Sequence, residues 1–135
     1  MNNKYYWTLY VLKLEQGKYY VGITSKSAQE RLWEHQHKVR AAYWTMKYEP
    51  KEIILTKELG LITKEEAEKQ ENQAVREYLK KYGVNNVRGG DLTQTDDLVI
   101  RFGYIWDKLG WETVITIVMM MLVVVVLIAK LYHWL

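Results

Sequence analysis

The chain has 135 residues, a net charge of +3 and no cysteine. That is one domain's worth of sequence. It excludes a disulfide scaffold or a thiolate metal centre, and its charge is too low for a nonspecific nucleic-acid coat.

Residues 1–7 hold no long apolar run and no small-residue cleavage site, so no signal peptide is expected. Tyr6–Leu14 and Lys18–Thr24 are rich in aromatic and β-branched residues and flank Glu15-Gln16-Gly17. This pattern predicts a β-hairpin whose three-residue loop is a type I turn closed by Gly17 in the left-handed region. Loop length sets the register: Leu14 faces Lys18, Leu12 faces Tyr20 and Tyr10 faces Gly22. Tyr10 and Tyr20 then share a face, because a one-residue slip would invert every side chain. Ser27 and Glu30 form a capping-box pattern that opens a helix. Ala28, Leu32 and Val39 are its candidate core residues, and Arg31 and His35, four apart, lie one above the other. Val39–Tyr48 is aromatic and basic, Pro50 ends it, and Glu52–Thr56 reads as a short strand.

Thr63 and Glu66 form a second capping box. The helix they open is expected to run to about Tyr82 and to stop at Gly83. Its apolar stripe is Ala67, Ala74, Val75, Tyr78, Leu79 and Tyr82, and Glu71 falls on that stripe. A carboxylate there costs several kcal/mol or shifts its pKa unless something pairs with it. Residues 84–91 read as a loop containing Gly89-Gly90, and Leu98–Trp111 as an amphipathic segment lying against the domain or at a membrane surface.

Val114–Ala129 carries no charge. Trp111–Trp134 makes roughly 36 Å of helix at ~1.5 Å per residue, enough for a hydrocarbon core of ~30 Å. Lys130 can snorkel to the headgroups, and Trp111, Tyr132 and Trp134 match interfacial aromatic belts. Of the 19 lysines and arginines all but Lys130 precede the span, so the N-terminal domain is expected in the cytoplasm and the chain is expected to be a single-pass, tail-anchored membrane protein. The expected divisions are a domain at 1–92, a juxtamembrane segment at 93–112 and a transmembrane helix at 113–134.

Residues 6–90 resemble the GIY-YIG nuclease domain. Its first motif appears as Thr8-Leu9-Tyr10 and its second as Tyr20-Val21-Gly22, keeping both tyrosines and the glycine. Arg31 and His35 resemble the family's R-x-x-x-H helix. Ala42-Tyr43-Trp44-Thr45, with Lys47 and Pro50, resembles its A-x-W/Y-T…P stretch. Glu71 matches the metal-binding glutamate, and Asn86-Val87-Arg88-Gly89-Gly90 the closing N-V-R-G-G. The resemblance implies an α+β fold, a small three-stranded antiparallel sheet flanked by helices, to which the C-terminal transmembrane helix is added. It implies an endonuclease that hydrolyses DNA phosphodiester bonds, with Mg²⁺ or Mn²⁺ on Glu71 and no organic cofactor. Under it, Arg31 stabilises the transition state. Tyr10 is the general base, its pKa lowered by a nearby cation (Arg31, the metal, Lys13 or Lys26). Tyr20 orients water or binds phosphate, and His35 relays a proton or contacts DNA.

Lys38, Arg40, Trp44, Lys47, Asn86 and Arg88 are the expected substrate contacts. Lys38, Arg40, Lys47 and Lys51, interleaved with Tyr43, Trp44 and Tyr48, suit backbone attraction and base stacking. The same residues also read as a basic loop over a hydrophobic plug. Asn86 either braces the metal-bearing helix or touches phosphate. The competing reading is a catalytically inactive, membrane-anchored DNA- or protein-binding module of the same fold. The retained Tyr10, Tyr20, Arg31 and Glu71 weigh against it.

Overall fold

In the computed structural model the backbone is described for residues 3–93 and 97–134, and side chains for 3–93 and 109–133. The chain divides into two units, Met1–Asp97 and Leu98–Leu135.

The first unit is α+β. Strand β1 (Lys4–Leu14) turns through Glu15–Gly17 into β2 (Tyr19–Thr24). Helices α1 (Ala28–Gln36) and α2 (Tyr43–Lys47) lead to β3 (Pro50–Thr63), then α3 (Lys64–Tyr82) and β4 (Val87–Gly89). The sheet order is β3-β1-β2-β4, with β4 parallel to β2 and the other pairs antiparallel. The sheet is therefore four-stranded and mixed, where three antiparallel strands were expected. The added strand, β4, lies in the stretch expected to be loop.

The hairpin register is the expected one, with Tyr10 opposite Gly22 and Leu12 opposite Tyr20. The turn differs. Gln16 and Gly17 are both left-handed, with φ of 57° and 68°, and the Lys18 amide donates to the Glu15 carbonyl at 3.2 Å, as in a type I′ turn. The Leu14 amide donates to Lys18 at 2.7 Å. Lys18 thus bonds both Leu14 at the end of β1 and Glu15 of the turn, and that one-residue bulge keeps the register.

One face of the sheet holds the buried cluster of Tyr10, Leu12, Leu14, Tyr20, Ala28 and Trp44, with Leu32, Ala42, Tyr48 and Ile53 against it. Val39 is 41% exposed, beyond the end of α1, and takes no part. The alternate residues Leu9, Val11 and Val21 face the other way, where α3 crosses β1, β2 and β4. Its buried residues are Ala67, Glu71, Val75 and Leu79.

Both ends of α3 are as expected. Thr63 accepts from the Glu66 amide at 3.2 Å, the Glu66 carboxylate takes the Thr63 amide at 2.9 Å, and Gly83 closes the helix on Leu79 at 2.8 Å. Strand β3 is longer than the expected Glu52–Thr56. It pairs along all of β1 with three register shifts, which leave Lys51, Ile54 and Leu59 as extra residues. It is also an outer strand of the sheet.

Helix α4 (Asp97–Trp134), which from Leu98 onward belongs to the second unit, is broken at Gly110, where φ is 67° and ψ 150°. Leu109–His133 has a mean hydropathy of 2.9, is long and apolar enough to cross a membrane, and is 0% buried, unlike the core helix of a soluble protein. The amphipathic reading of Leu98–Trp111 rests mostly on side chains outside the described residues.

Candidate active site

Tyr10 and Gly22 are opposite one another on the hairpin. A Cβ at Gly22 would sit 2.6 Å from the Tyr10 Oη, 2.7 Å from its Cζ and 3.0 Å from the Tyr20 Cε1. The bare backbone of Gly22 is thus the bed on which both tyrosine rings lie, 6.3 Å apart between centroids.

Helix α1 supplies the next groups. Ser27 caps it by accepting from the Glu30 amide at 3.1 Å, while the Glu30 carboxylate lies 3.6 Å from Lys26. His35 is 1% exposed. Its Nε2 lies 3.0 Å from the Tyr10 Oη and 3.4 Å from the Arg31 Nη2, and its Nδ1 lies 2.8 Å from the Thr45 Oγ1. The ring of Tyr20 stands edge-on to His35 at 5.0 Å. Tyr10, Tyr20, Arg31 and His35 therefore meet at one place.

Burial raises the Tyr10 hydroxyl above its usual 10, and the charge of Arg31 offsets this only in part. Burial and the neighbouring Tyr10 raise Tyr20 too. Burial and then Arg31 depress His35 to about 4, so it is neutral at pH 7. Of the cations expected to act on Tyr10, Arg31 does so. Lys13 pairs with Glu52 at 3.6 Å and Lys26 with Glu34 at 2.9 Å instead.

Glu71 approaches from α3 where β4 stops at the pair Val21–Gly89. Burial raises its carboxyl, the amides of Gly90 and Ile23 hold it down, Glu68 and Asp91 add to the rise, and the net value is about 7. Its charge in turn raises Tyr10 and Tyr20, which brings Glu71 electrostatically into the same group. The two glycines let this stretch lie close against β2 and α3. A Cβ on Gly89 would overlap the Val21 carbonyl, and one on Gly90 would overlap the Asn72 Oδ1, which accepts the Asp91 amide at 2.9 Å. A partly desolvated carboxylate among other acids fits a hard divalent cation. Among the described residues no three His, Cys, Asp or Glu side chains cluster for a metal, so a cation held by Glu71 would have a single protein ligand and water in the rest of its shell.

Glu34, an acid in the polar run of α1, escaped the sequence reading. It is 4% exposed. It holds Lys26 and Arg40 at 2.9 Å each and Arg31 in a third, short ion pair. Hydrogen bonds from Lys26 and then Arg31 keep its carboxyl at about 2. The available signal was Arg31 three residues before it on the same helix face. Glu34 seats the Arg31 guanidinium against Tyr10 and His35. Glu34→Gln is expected to lower the cleavage rate about 10²-fold by releasing that guanidinium. Glu30→Gln, at the exposed 3.6 Å pair with Lys26, should change it by about 2-fold or less. Plasmid-nicking rates of the two variants check this.

The expected substrate contacts are placed unevenly. Lys38 and Lys47 are exposed and line a groove of about 320 Å³ behind His35. Arg40 is 71% exposed and paired with Glu34. Trp44 is 4% exposed, donates to the Tyr19 carbonyl at 3.2 Å and belongs to the core. It is the hydrophobic plug and offers no face to a base. Arg88 is 2% exposed, with its guanidinium 4.4 Å over the Trp44 ring and its Nη1 on the carbonyls of Val84 and Val87. It closes the interior and does not present itself to a phosphate. Asn86 donates to the Tyr82 carbonyl at 2.9 Å and accepts from Lys18 at 2.8 Å, so it braces the end of α3 against the hairpin.

A mixed sheet with helices on both faces, carrying this tyrosine pair beside an arginine, a histidine and a buried glutamate, defines an α+β domain of the nuclease type. The family model of the GIY-YIG catalytic domain matches residues 6–83. That is more than half of the chain, and the chain belongs to this family. Comparison with curated proteins returned no match, and neither did comparison with solved structures.

Proposed function

We propose that the protein is an active, divalent-metal-dependent DNA endonuclease held at a membrane by the apolar helix at 109–133. The observation that carries the catalytic reading is the hydrogen-bonded chain from Arg31 through Tyr10 to His35. A guanidinium only donates, so the Tyr10 oxygen accepts from Arg31 and gives its one proton to the His35 Nε2.

Moving that proton outright in the resting protein is costly. Burial raises Tyr10 above its usual value and lowers His35 to about 4, so both shifts oppose the transfer. A concerted handover avoids the free phenolate: water gives its proton to the Tyr10 oxygen as the Tyr10 proton passes to His35. Arg31 sits beside the same oxygen, and its permanent charge supports a role in neutralising the phosphoryl group. Tyr20, kept protonated by its burial, is a donor that orients water or a phosphate oxygen. A hard cation held by Glu71, Mg²⁺ or Mn²⁺, supplies positive charge for the phosphate and acidifies water when bound. Lys38, Arg40 and Lys47 provide attraction for the DNA backbone, which carries little sequence information.

The second unit supports the tether. By the positive-inside rule the nuclease domain, residues 1–92, faces the cytoplasm, and 93–112 joins it to the span.

The test uses the full chain in detergent micelles with supercoiled plasmid and Mg²⁺ or Mn²⁺. Nicking is expected for the wild type, with a loss of about 10²-fold or more in Tyr10→Phe, which keeps the ring and removes the hydroxyl. DNA binding without nicking in both metals would replace this reading with the inactive binding module.

A further inference from the structure

We propose that Thr45 is a positioning residue that locks His35 in the tautomer with its proton on Nδ1, leaving Nε2 as the acceptor facing Tyr10. The catalytic meaning of this lock rests on the nuclease reading, but the tautomer itself is read without it.

The assignment follows from heavy-atom distances at both ends of the imidazole. The Thr45 Oγ1 lies 2.8 Å from the Ala42 carbonyl oxygen. Two oxygens that close need a proton between them, and a carbonyl has none to give. The single hydroxyl proton of Thr45 is therefore committed to Ala42. The same Oγ1 lies 2.8 Å from the His35 Nδ1, so in that contact Thr45 accepts and Nδ1 donates. At the other end, Nε2 faces the Arg31 Nη2 at 3.4 Å. Arginine has no acceptor, so a proton on Nε2 would set donor against donor. With Nε2 bare, the Tyr10 Oη at 3.0 Å donates to it. The opposite tautomer would break the Tyr10 and Thr45 bonds as they stand and create the Arg31 conflict.

The position of Thr45 is set by local structure. Ala42 caps α2, and the Thr45 amide donates back to the Ala42 carbonyl at 3.0 Å. The side chain is 1% exposed, so water does not compete for His35. A neutral imidazole works as an acceptor only through its bare nitrogen, and the hydrogen bond on the other nitrogen decides which one that is. Thr45 thus acts on Tyr10 through His35.

The experiment uses the full chain in detergent micelles, ¹⁵N-labelled, with long-range ¹H–¹⁵N spectra that distinguish the two ring nitrogens. His35 is assigned against His37→Gln and His133→Gln. The wild type should show a single Nδ1–H tautomer for His35, and Thr45→Ser should keep it. Thr45→Val, near in shape but without an acceptor, should weaken the preference and populate both tautomers, with only Arg31 left to oppose a proton on Nε2. The wild type with Nε2–H, or Thr45→Val with an unchanged Nδ1–H spectrum, would overturn the assignment. In plasmid cleavage, Thr45→Val should lower kcat about 10²-fold with KM unchanged, and Thr45→Ser should restore it. A wild type that shows the expected spectrum and cuts no DNA supports the lock and removes the nuclease reading.

Discussion

Glu71→Gln is expected to abolish cleavage and at the same time to make the protein more stable at neutral pH. Burial lifts the Glu71 carboxyl from 4.5 to about 7 in the folded protein. Below pH 4.5 it is neutral folded or unfolded and costs nothing. As the pH rises through 7 the unfolded chain has already released the proton, and the folded chain releases it only against its surroundings. Stability is therefore lost across this window, by at most about 3 kcal/mol at ~1.36 kcal/mol per pH unit. Glutamine keeps an oxygen for the amides of Gly90 and Ile23, which hold the carboxylate, and removes the charge. Thermal unfolding of the first unit in EDTA should rise by roughly 10 °C at pH 8 and by little at pH 4. Mg²⁺ or Mn²⁺ should stabilise the wild type and leave the variant unmoved, because only a state that binds the cation gains from it. A variant that still nicks plasmid would remove Glu71 from the machinery. A variant no more stable at pH 8 would mean that the wild-type carboxylate is well compensated.

The second large effect is expected at Gly22. Gly22→Ala leaves the backbone conformation open to alanine but places a methyl 2.6 Å from the Tyr10 Oη. Tyr10 is 1% exposed and has no room to retreat. Either the ring moves off His35 or β2 moves away from β1. Overpacking of this kind costs about 1–3 kcal/mol, and displacing the hydroxyl from the His35 Nε2 should cost about 10²-fold in rate. Urea unfolding and plasmid cleavage measure the two losses separately. Wild-type behaviour in both would show that the close approach of tyrosine and strand is not needed.

Much of this arrangement was legible in the sequence because its signals are local. A three-residue loop fixes the facing of Tyr10 and Tyr20 through parity alone. Thr63, Glu66 and Gly83 mark the ends of α3 through bonds to residues three or four away. Glu71 stood out because its position on the stripe is a helical count. The elements that were missed depend on distant partners. Strand β4 is three residues long and exists because β2 lies beside it; no periodicity can appear in so short a stretch. Strand β3 has no clean alternation, since its extra residues at Lys51, Ile54 and Leu59 reset the pattern. Trp44 and Arg88 looked like nucleic-acid contacts by residue type, yet they spend that chemistry on each other inside the protein. Glu34 was missed because its third cation, Arg40, comes from the turn beyond the helix.

The irregular pairing of β3 bears on how copies of the protein coexist. An outer strand of 14 residues is a template on which another chain can add. Ile54 and Leu55, 40% and 38% exposed, would favour such growth. The three interruptions, and the charges of Lys51, Glu52, Lys57 and Glu58 along the strand, break the template into segments too short to propagate. The bulges of β3 thereby act against edge-to-edge filament growth between copies of the chain.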